Sequence, residues 1–210
     1  LRETVDDAGD HVGDDRPGGP VHGVGVAAAG GGRETDLAVG ELDGDGGVEG
    51  VGKLPLGPLD PDRVVEHIVT LREKHGARHF FFADEALTPR VLRVMSEQLA
   101  DRAPDVHWCG CVRFDRALTR DLLGTMAAGG GRMLLFGLET AAPSTIGRMH
   151  KGTQPETISR ILRNSAAAGL WNHAFFFFGF PGETMAAAQE TVNFVYAHQE
   201  VLHSASPGAF

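Results

Sequence analysis

The sequence predicts an α/β fold in which parallel strands alternate with helices. Four short runs of strand-forming residues recur within residues 78–178, and each is followed by a segment with the apolar spacing of an amphipathic helix. The strands are nearly continuous apolar runs, as expected when both faces of a sheet are covered. Because parallel neighbours need a crossover connection, this alternation favours a parallel sheet with right-handed crossovers. Either a curved, barrel-like sheet or a flat doubly wound sheet fits these patterns.

The bounds of the elements follow from local signals. Strands are predicted at residues 78–83, 106–112, 133–138 and 170–178. Helices are predicted to begin at Asp60-Pro61, Thr88-Pro89, Thr119, the capping box Thr153-Gln154-Pro155-Glu156, and Thr184. Gly76 is placed to end the first helix, and Leu202 is the expected end of the last.

Composition divides the chain near residue 60. Residues 1–60 hold 13 of the 28 acidic and 4 of the 19 basic residues, so they carry the whole net charge of −9. They also hold 16 of the 29 glycines but no phenylalanine, tryptophan, methionine or isoleucine. A segment with so little to bury cannot offset the entropy of ordering itself. We therefore expect residues 1–57 to be a disordered tail, a linker or a non-native translation of GC-rich DNA, and residues 58–210 to form one partial domain.

Several classes of protein are excluded by composition. The longest strongly apolar stretch, residues 174–180, is too short to span a bilayer, and the amino terminus has no signal-peptide pattern. Residues 61–210 carry 15 charges of each sign, so there is no basic surface for nucleic acid. Two cysteines do not make a disulfide framework. We expect a soluble cytoplasmic protein, with a small-molecule or unknown substrate and no membrane partner.

Polar residues follow every predicted strand at its carboxyl end, where parallel α/β folds place their sites. These groups are Asp84-Glu85, Arg113 with Asp115, Glu139-Thr140, and the turn at residues 179–184. Taken singly, Asp84 or Asp115 fits a helix cap equally well. Four such groups on one rim favour a ligand site. Carboxylates accept hydroxyl or ammonium protons and Arg113 can hold a carboxylate, which suits a ligand with sugar hydroxyls and an amino acid end.

Five motifs carry a family resemblance through their order and spacing. They are Phe81-Phe82-Ala83-Asp84, His107-Trp108 through Arg113-Phe114-Asp115, Gly137-Leu138-Glu139-Thr140, Met149-His150-Lys151-Gly152, and Phe178 through Thr184. Together they resemble the radical S-adenosylmethionine (radical SAM) superfamily, and most closely its cobalamin-dependent and methylthiotransferase-like members. The resemblance covers about residues 58–200. It implies a partial (β/α)₆ barrel of the radical SAM type, incomplete at both ends.

The resemblance also implies an enzyme that binds S-adenosylmethionine against a [4Fe-4S] cluster and forms a 5′-deoxyadenosyl radical, with cobalamin as a further candidate cofactor. The resemblance puts Glu139 at the family position that contacts the ribose or the methionyl part of S-adenosylmethionine. It makes Arg113 similar to a family arginine that contacts the methionine carboxylate. Asp84 lies where family members place residues that contact the amino group of S-adenosylmethionine. Gly179, Phe180 and Pro181 match the turn beside the adenine. No catalytic residue is assigned.

One departure from the family concerns the cluster. The family uses three cysteines in the loop after the first strand, whereas this chain has only Cys109 and Cys111. Three thiolates cannot come from two cysteines, so no metal ligand is predicted. Their spacing puts both on one side of a strand, where we expect small buried residues. Two functions stay open: a fragment of a radical SAM enzyme without its cluster loop, and a non-catalytic ligand- or partner-binding module derived from the same barrel.

Two further expectations follow. Without the first and sixth strands of the barrel, residues 78–83 and 170–178 should be exposed sheet edges through which the chain self-associates. Lys151 is interpreted either as approaching the ligand rim or as a solvated side chain.

Overall fold

The fold is taken from a computed structural model that describes residues 60–82 and 87–210, together with the backbone of three strands nearer the amino terminus. The elements run in the order β1 (Val24–Ala29), β2 (Thr35–Leu42), β3 (Val48–Leu56), α1 (Pro61–His75), β4 (His79–Phe82), α2 (Pro89–Arg102), β5 (His107–Val112), α3 (Arg120–Ala128), β6 (Gly131–Glu139), α4 (Pro143–Arg148), α5 (Pro155–Ala167), β7 (Trp171–Phe178), α6 (Met185–Ala197) and β8 (Ser204–Ala209).

One sheet contains all eight strands, in the order β3-β2-β1-β4-β5-β6-β7-β8. The five strands β4 to β8 are parallel and alternate with helices, which confirms the predicted α/β fold. β1 pairs with β4 in parallel through Val26 and Phe82, whereas β1, β2 and β3 pair with one another in antiparallel fashion.

The prediction that residues 78–83 and 170–178 form exposed edges is wrong. β4 is flanked by β1, and β7 pairs with β8 over six residue pairs. β8 was not predicted because its sequence, Ser-Ala-Ser-Pro-Gly-Ala, has neither strand-forming residues nor an apolar run. The expectation that residues 1–57 lack stable packing stays a prediction, because much of this segment and all of its side chains lie outside the described residues.

Local capping signals fix most helix starts. Side-chain oxygens of Asp60, Thr88, Thr119 and Thr184 each accept a bond from a backbone N–H in the first turn of the following helix. Gly76 ends α1 in the left-handed conformation, with φ of 67°.

The sequence predictions for the helices differ from the structure in three places. The capping box at residues 153–156 is wrong, since α5 begins after Gln154 with no side-chain cap. The last helix ends at Ala197 rather than Leu202. The short helix α4 was not predicted. Within the described residues, no helix is long and apolar enough to cross a membrane.

The core lies between the sheet and the helices on one of its faces. In β5, Trp108 and Val112 are buried there, and the Trp108 indole donates to Gly129 O at 2.9 Å. Phe136 of β6 is also fully buried and stacks on Phe114 at 4.4 Å between ring centroids. Each such side chain contributes about 1.5–3 kcal/mol through burial. Because strand residues alternate in direction, the residues between them point to the opposite face.

Candidate functional site

A cavity of about 530 Å³ lies on the sheet face opposite the helix-packed core, at the carboxyl ends of β5 and β6. Cys111, Leu135, Gly137 and Phe175 come from three adjacent strands and share this face, since Cys111 pairs with Leu135 and Gly137 with Phe175. The remaining lining residues are Val112, Arg113, Phe114, Glu139, Met149, His150, Lys151 and Thr153.

Glu139 ends β6 in an uncommon backbone conformation. Its φ is 60°, and the Thr140 N–H donates to Leu138 O at 2.7 Å across it. The ladder to β7 shifts register between Gly137 and Glu139. This turn folds the Glu139 side chain back over Gly137, where an added Cβ would lie only 2.6 Å from the carboxylate Oε1. The glycine therefore provides the space that the carboxylate occupies.

Lys151, in the loop between α4 and α5, pairs with the same carboxylate. Its Nζ lies 3.3 Å from Glu139 Oε1 and donates to Gly137 O at 2.7 Å. His150 and Gly152, on either side of Lys151, both have positive φ, which bends this loop sharply. Burial lowers the pKa of the Lys151 ammonium; Glu139 opposes that shift, and the charge of Arg113 adds to it. Of its two interpretations, the structure supports the one that places Lys151 at the rim.

Two further groups give the cavity its polar character. Arg113 is exposed at the end of β5 and lines the cavity. The Thr153 hydroxyl is buried, with the residue 6% exposed, and has no hydrogen-bond partner among the described residues. An unpaired buried hydroxyl is costly, so a ligand atom that bonds to it would relieve that cost. Two cations, one carboxylate and this hydroxyl suit a ligand that carries a carboxylate, an ammonium group and hydroxyls.

The structure brings only some of the predicted site residues together. Arg113 and Glu139 line the cavity, whereas Gly179, Phe180 and Pro181 follow β7 outside its lining. There the Gly179 N–H donates to Glu183 Oε2 at 2.7 Å. Asp84 lies outside the described residues.

Sequence reasoning missed several lining residues. Thr153 was interpreted as a helix cap, and Cys111 as a small core residue. Gly137, Leu135 and Phe175 could have been found, because residues that share one face of adjacent parallel strands follow from the alternation along each strand. His150 belongs to the motif Met149-His150-Lys151-Gly152, but its place in the cavity lining was not predicted. Asp115 does not cap a helix, because α3 begins at Arg120 after the N-cap Thr119; its Oδ1 instead accepts the Ala117 N–H at 2.8 Å within a turn.

The two cysteines do not provide a cluster site. Cys109 and Cys111 are on the same side of β5, as predicted, but both are half-buried rather than buried. Burial, with a smaller effect from Cys111, raises the pKa of the Cys109 thiol. No group of three His, Cys, Asp or Glu side chains in the described part of the chain could hold a metal ion. Since the whole sequence has only these two cysteines, three-thiolate ligation of a [4Fe-4S] cluster does not fit this chain.

The chain is similar to known proteins in sequence and in fold. No family model matches the chain. It is 25% identical over 135 residues to an uncharacterized methyltransferase of Pyrococcus horikoshii, a match that covers 63% of this chain and 29% of that protein.

Solved structures of other proteins share the fold, and two of them are radical SAM enzymes of known source. The radical S-adenosylmethionine methyltransferase TsrM of Kitasatospora setae, determined with cobalamin and a [4Fe-4S] cluster bound, superposes with a TM-score of 0.61 at 17% identity, over 88% of this chain and 34% of its own. The radical SAM enzyme coproporphyrinogen III oxidase of Escherichia coli superposes with a TM-score of 0.56 at 16% identity, and the match covers 71% of this chain and 36% of that enzyme.

The chain therefore has the fold of the radical SAM core, as the motifs implied. It spans about a third of the length of each of these three proteins.

Proposed function

We propose that this chain is the S-adenosylmethionine-binding part of a radical SAM protein. The observation that carries the proposal is the cavity, in which Glu139, Lys151 and Arg113 converge at the carboxyl ends of the strands. Arg113 would pair with the methionine carboxylate, and Glu139 would accept bonds from the ribose hydroxyls or the methionyl ammonium. The Thr153 hydroxyl would bond to a further polar atom of the ligand.

The chemistry proposed for the complete protein is wider than that of this chain. The similarity to radical SAM enzymes and to a methyltransferase supports an enzyme of that superfamily, with a [4Fe-4S] cluster and cobalamin as candidate cofactors. Cleavage of S-adenosylmethionine at a cluster is not assigned to this chain, because its two cysteines do not supply the ligands. The same observation favours a second candidate function, a non-catalytic module that binds a ligand or partner on the same rim.

Calorimetry with S-adenosylmethionine tests the binding proposal. We expect weak binding by the wild-type chain and none detectable for Glu139→Ala, since lost bonds to a charged group are worth about 1.5–3 kcal/mol, or about 10–150-fold in affinity. Glu156→Ala is the matched control, because Glu156 is an exposed glutamate in the first turn of α5. Equal affinities for wild type and Glu139→Ala would remove Glu139 from the site.

Anaerobic reconstitution with iron and sulfide tests the absence of a cluster. We expect the chain to bind no [4Fe-4S] cluster. A stoichiometry of about four irons per chain, with cluster absorption in the visible range, would contradict this expectation. Binding of S-adenosylmethionine without a cluster would support both candidate functions. Activity after fusion to a segment with three suitably spaced cysteines would then favour the enzyme over the non-catalytic module.

A further inference from the structure

We infer that Thr191, on α6 and outside the cavity, is a positioning residue that holds Glu139 in its ligand-binding conformation. The structural part of this inference stands on the hydrogen bonds around the turn after β6. Its consequence for S-adenosylmethionine rests on the proposed function.

The turn at Glu139 needs support because it is strained. A non-glycine residue with φ of 60° occupies a sparsely populated region, and the Leu138 O to Thr140 N–H bond makes Glu139 the centre of a γ-turn. Such conformations persist only where the surrounding structure determines them. Relaxed to an extended conformation, residue 139 would stay on the cavity face that Leu135 and Gly137 share, but its side chain would stand away from the strand instead of folding back over Gly137.

Thr191 supplies that support from α6. Its Oγ1 accepts the Ala141 N–H at 3.1 Å and lies 3.0 Å from Thr140 Oγ1. It is also 3.4 Å from Ala187 O in its own helix. Thr140 Oγ1 in turn accepts the Ala142 N–H at 3.2 Å. Thr140 and Thr191 are both fully buried, so water cannot replace these bonds.

The position of Thr191 is itself fixed by the turn that follows β7. Thr184 caps α6 by accepting the Ala187 N–H at 3.1 Å, and Glu183 accepts the Gly179 N–H. Thr191 lies about two helical turns further along α6. The motif at residues 178–184, which does not line the cavity, therefore sets the helix from which Thr191 reaches the Glu139 turn.

Replacing only the hydroxyl tests the inference. Thr191→Val keeps the shape but leaves the Ala141 N–H unpaired, whereas Thr191→Ser keeps the oxygen. Thr145→Val is the matched control, since Thr145 is equally buried but its hydroxyl has no partner among the described residues. Hydrogen exchange, measured by mass spectrometry on a peptide spanning residues 138–142, needs no ligand. We expect exchange at least about tenfold faster in Thr191→Val, and rates within about twofold of wild type in the other two variants.

Calorimetry with S-adenosylmethionine then links the turn to the site. We expect affinity to fall about tenfold in Thr191→Val and to stay within about threefold of wild type in Thr191→Ser. Any of three results would overturn the inference. The exchange rate of residues 138–142 could be unchanged in Thr191→Val, or it could rise as much in Thr145→Val as in Thr191→Val. Alternatively, exchange in Thr191→Val could be faster while its affinity for S-adenosylmethionine stays that of wild type. If wild type binds no S-adenosylmethionine, the proposed function fails, and the exchange rates alone decide whether Thr191 holds the turn.

Discussion

Gly137→Ala should separate ligand binding from stability. Gly137 lies in β6, where alanine should cost nothing in backbone conformation and gain roughly 0.5–1 kcal/mol by restricting the unfolded chain. Its new Cβ would lie 2.6 Å from Glu139 Oε1 and 3.9 Å from Lys151 Nζ. Because ordinary contacts between these atoms begin near about 3.4 Å, the carboxylate must move by about 0.8 Å.

That movement is cheap for the fold, because Oε1 is the end of a flexible side chain. It is expensive for the site, because the carboxylate leaves the position fixed by Lys151, at 3.3 Å. A misplacement of about 1 Å in a site can cost about 100-fold, and we expect S-adenosylmethionine affinity to fall between about 10-fold and 100-fold.

The assay pairs calorimetry with urea unfolding of the same samples. Gly124→Ala, in α3, is the matched control, since a Cβ there meets nothing within 4 Å. It should gain about 0.5–1 kcal/mol in unfolding free energy and bind as wild type does. An affinity of Gly137→Ala within about twofold of wild type would refute the steric argument, and an unfolding free energy lowered by about 2 kcal/mol would show that the whole strand had shifted.

Three other predictions concern stability and order. Asp105 pairs with Arg72 Nε at 2.6 Å and Arg78 Nε at 2.8 Å, bonds that hold its pKa at about 2, below its ordinary value of 3.8. Asp105 therefore stabilises the fold above about pH 4 and loses that effect as the pH falls towards 2, so Asp105→Asn should flatten the dependence of unfolding free energy on pH in that window. The buried Asn172 amide donates to two backbone carbonyls at 2.9 and 2.6 Å, and Asn172→Ala should cost about 2–3 kcal/mol in urea unfolding. Limited proteolysis should remove residues 1–57 quickly and leave a resistant piece from about residue 58; equal protection of both parts would contradict this.

Apart from α4, sequence patterns predicted the helices and strands of residues 60–178, because their signals are local. Asp60-Pro61 and Thr88-Pro89 start helices where a cap and a proline coincide. β8 could not be predicted in this way, because its stability comes from pairing with β7 rather than from its own residues. The same reason explains why residues 78–83 and 170–178 were wrongly predicted to be exposed sheet edges, since the order of strands in a sheet depends on contacts between segments far apart in sequence.

The candidate site was predictable where it depends on strand ends and not where it depends on backbone conformation. Arg113 and Glu139 follow strands, and the parallel sheet brings them to one rim. The positive φ of Glu139 has no signature in the sequence, since it is maintained by Thr191, which is 52 residues away. Thr153 shows the reverse error, because a capping pattern predicted a local bond for a hydroxyl that is instead buried beside the cavity.

Charge pairing inside the cavity explains why binding by this chain alone should be weak. Glu139 already has a cationic partner in Lys151, so a ligand ammonium that approaches Glu139 exchanges one charge contact for another rather than adding one. A ligand carboxylate gains from Arg113, but Arg113 is exposed, and an exposed pair contributes only about 0–1 kcal/mol. The rest of the net gain comes from the unpaired Thr153 hydroxyl and from the apolar surface of Phe175, which is 40% exposed. Loss of the Glu139 carboxylate would also leave Lys151 half-buried without its ion-pair partner, which makes Glu139 more sensitive to substitution than its share of the ligand contacts alone implies.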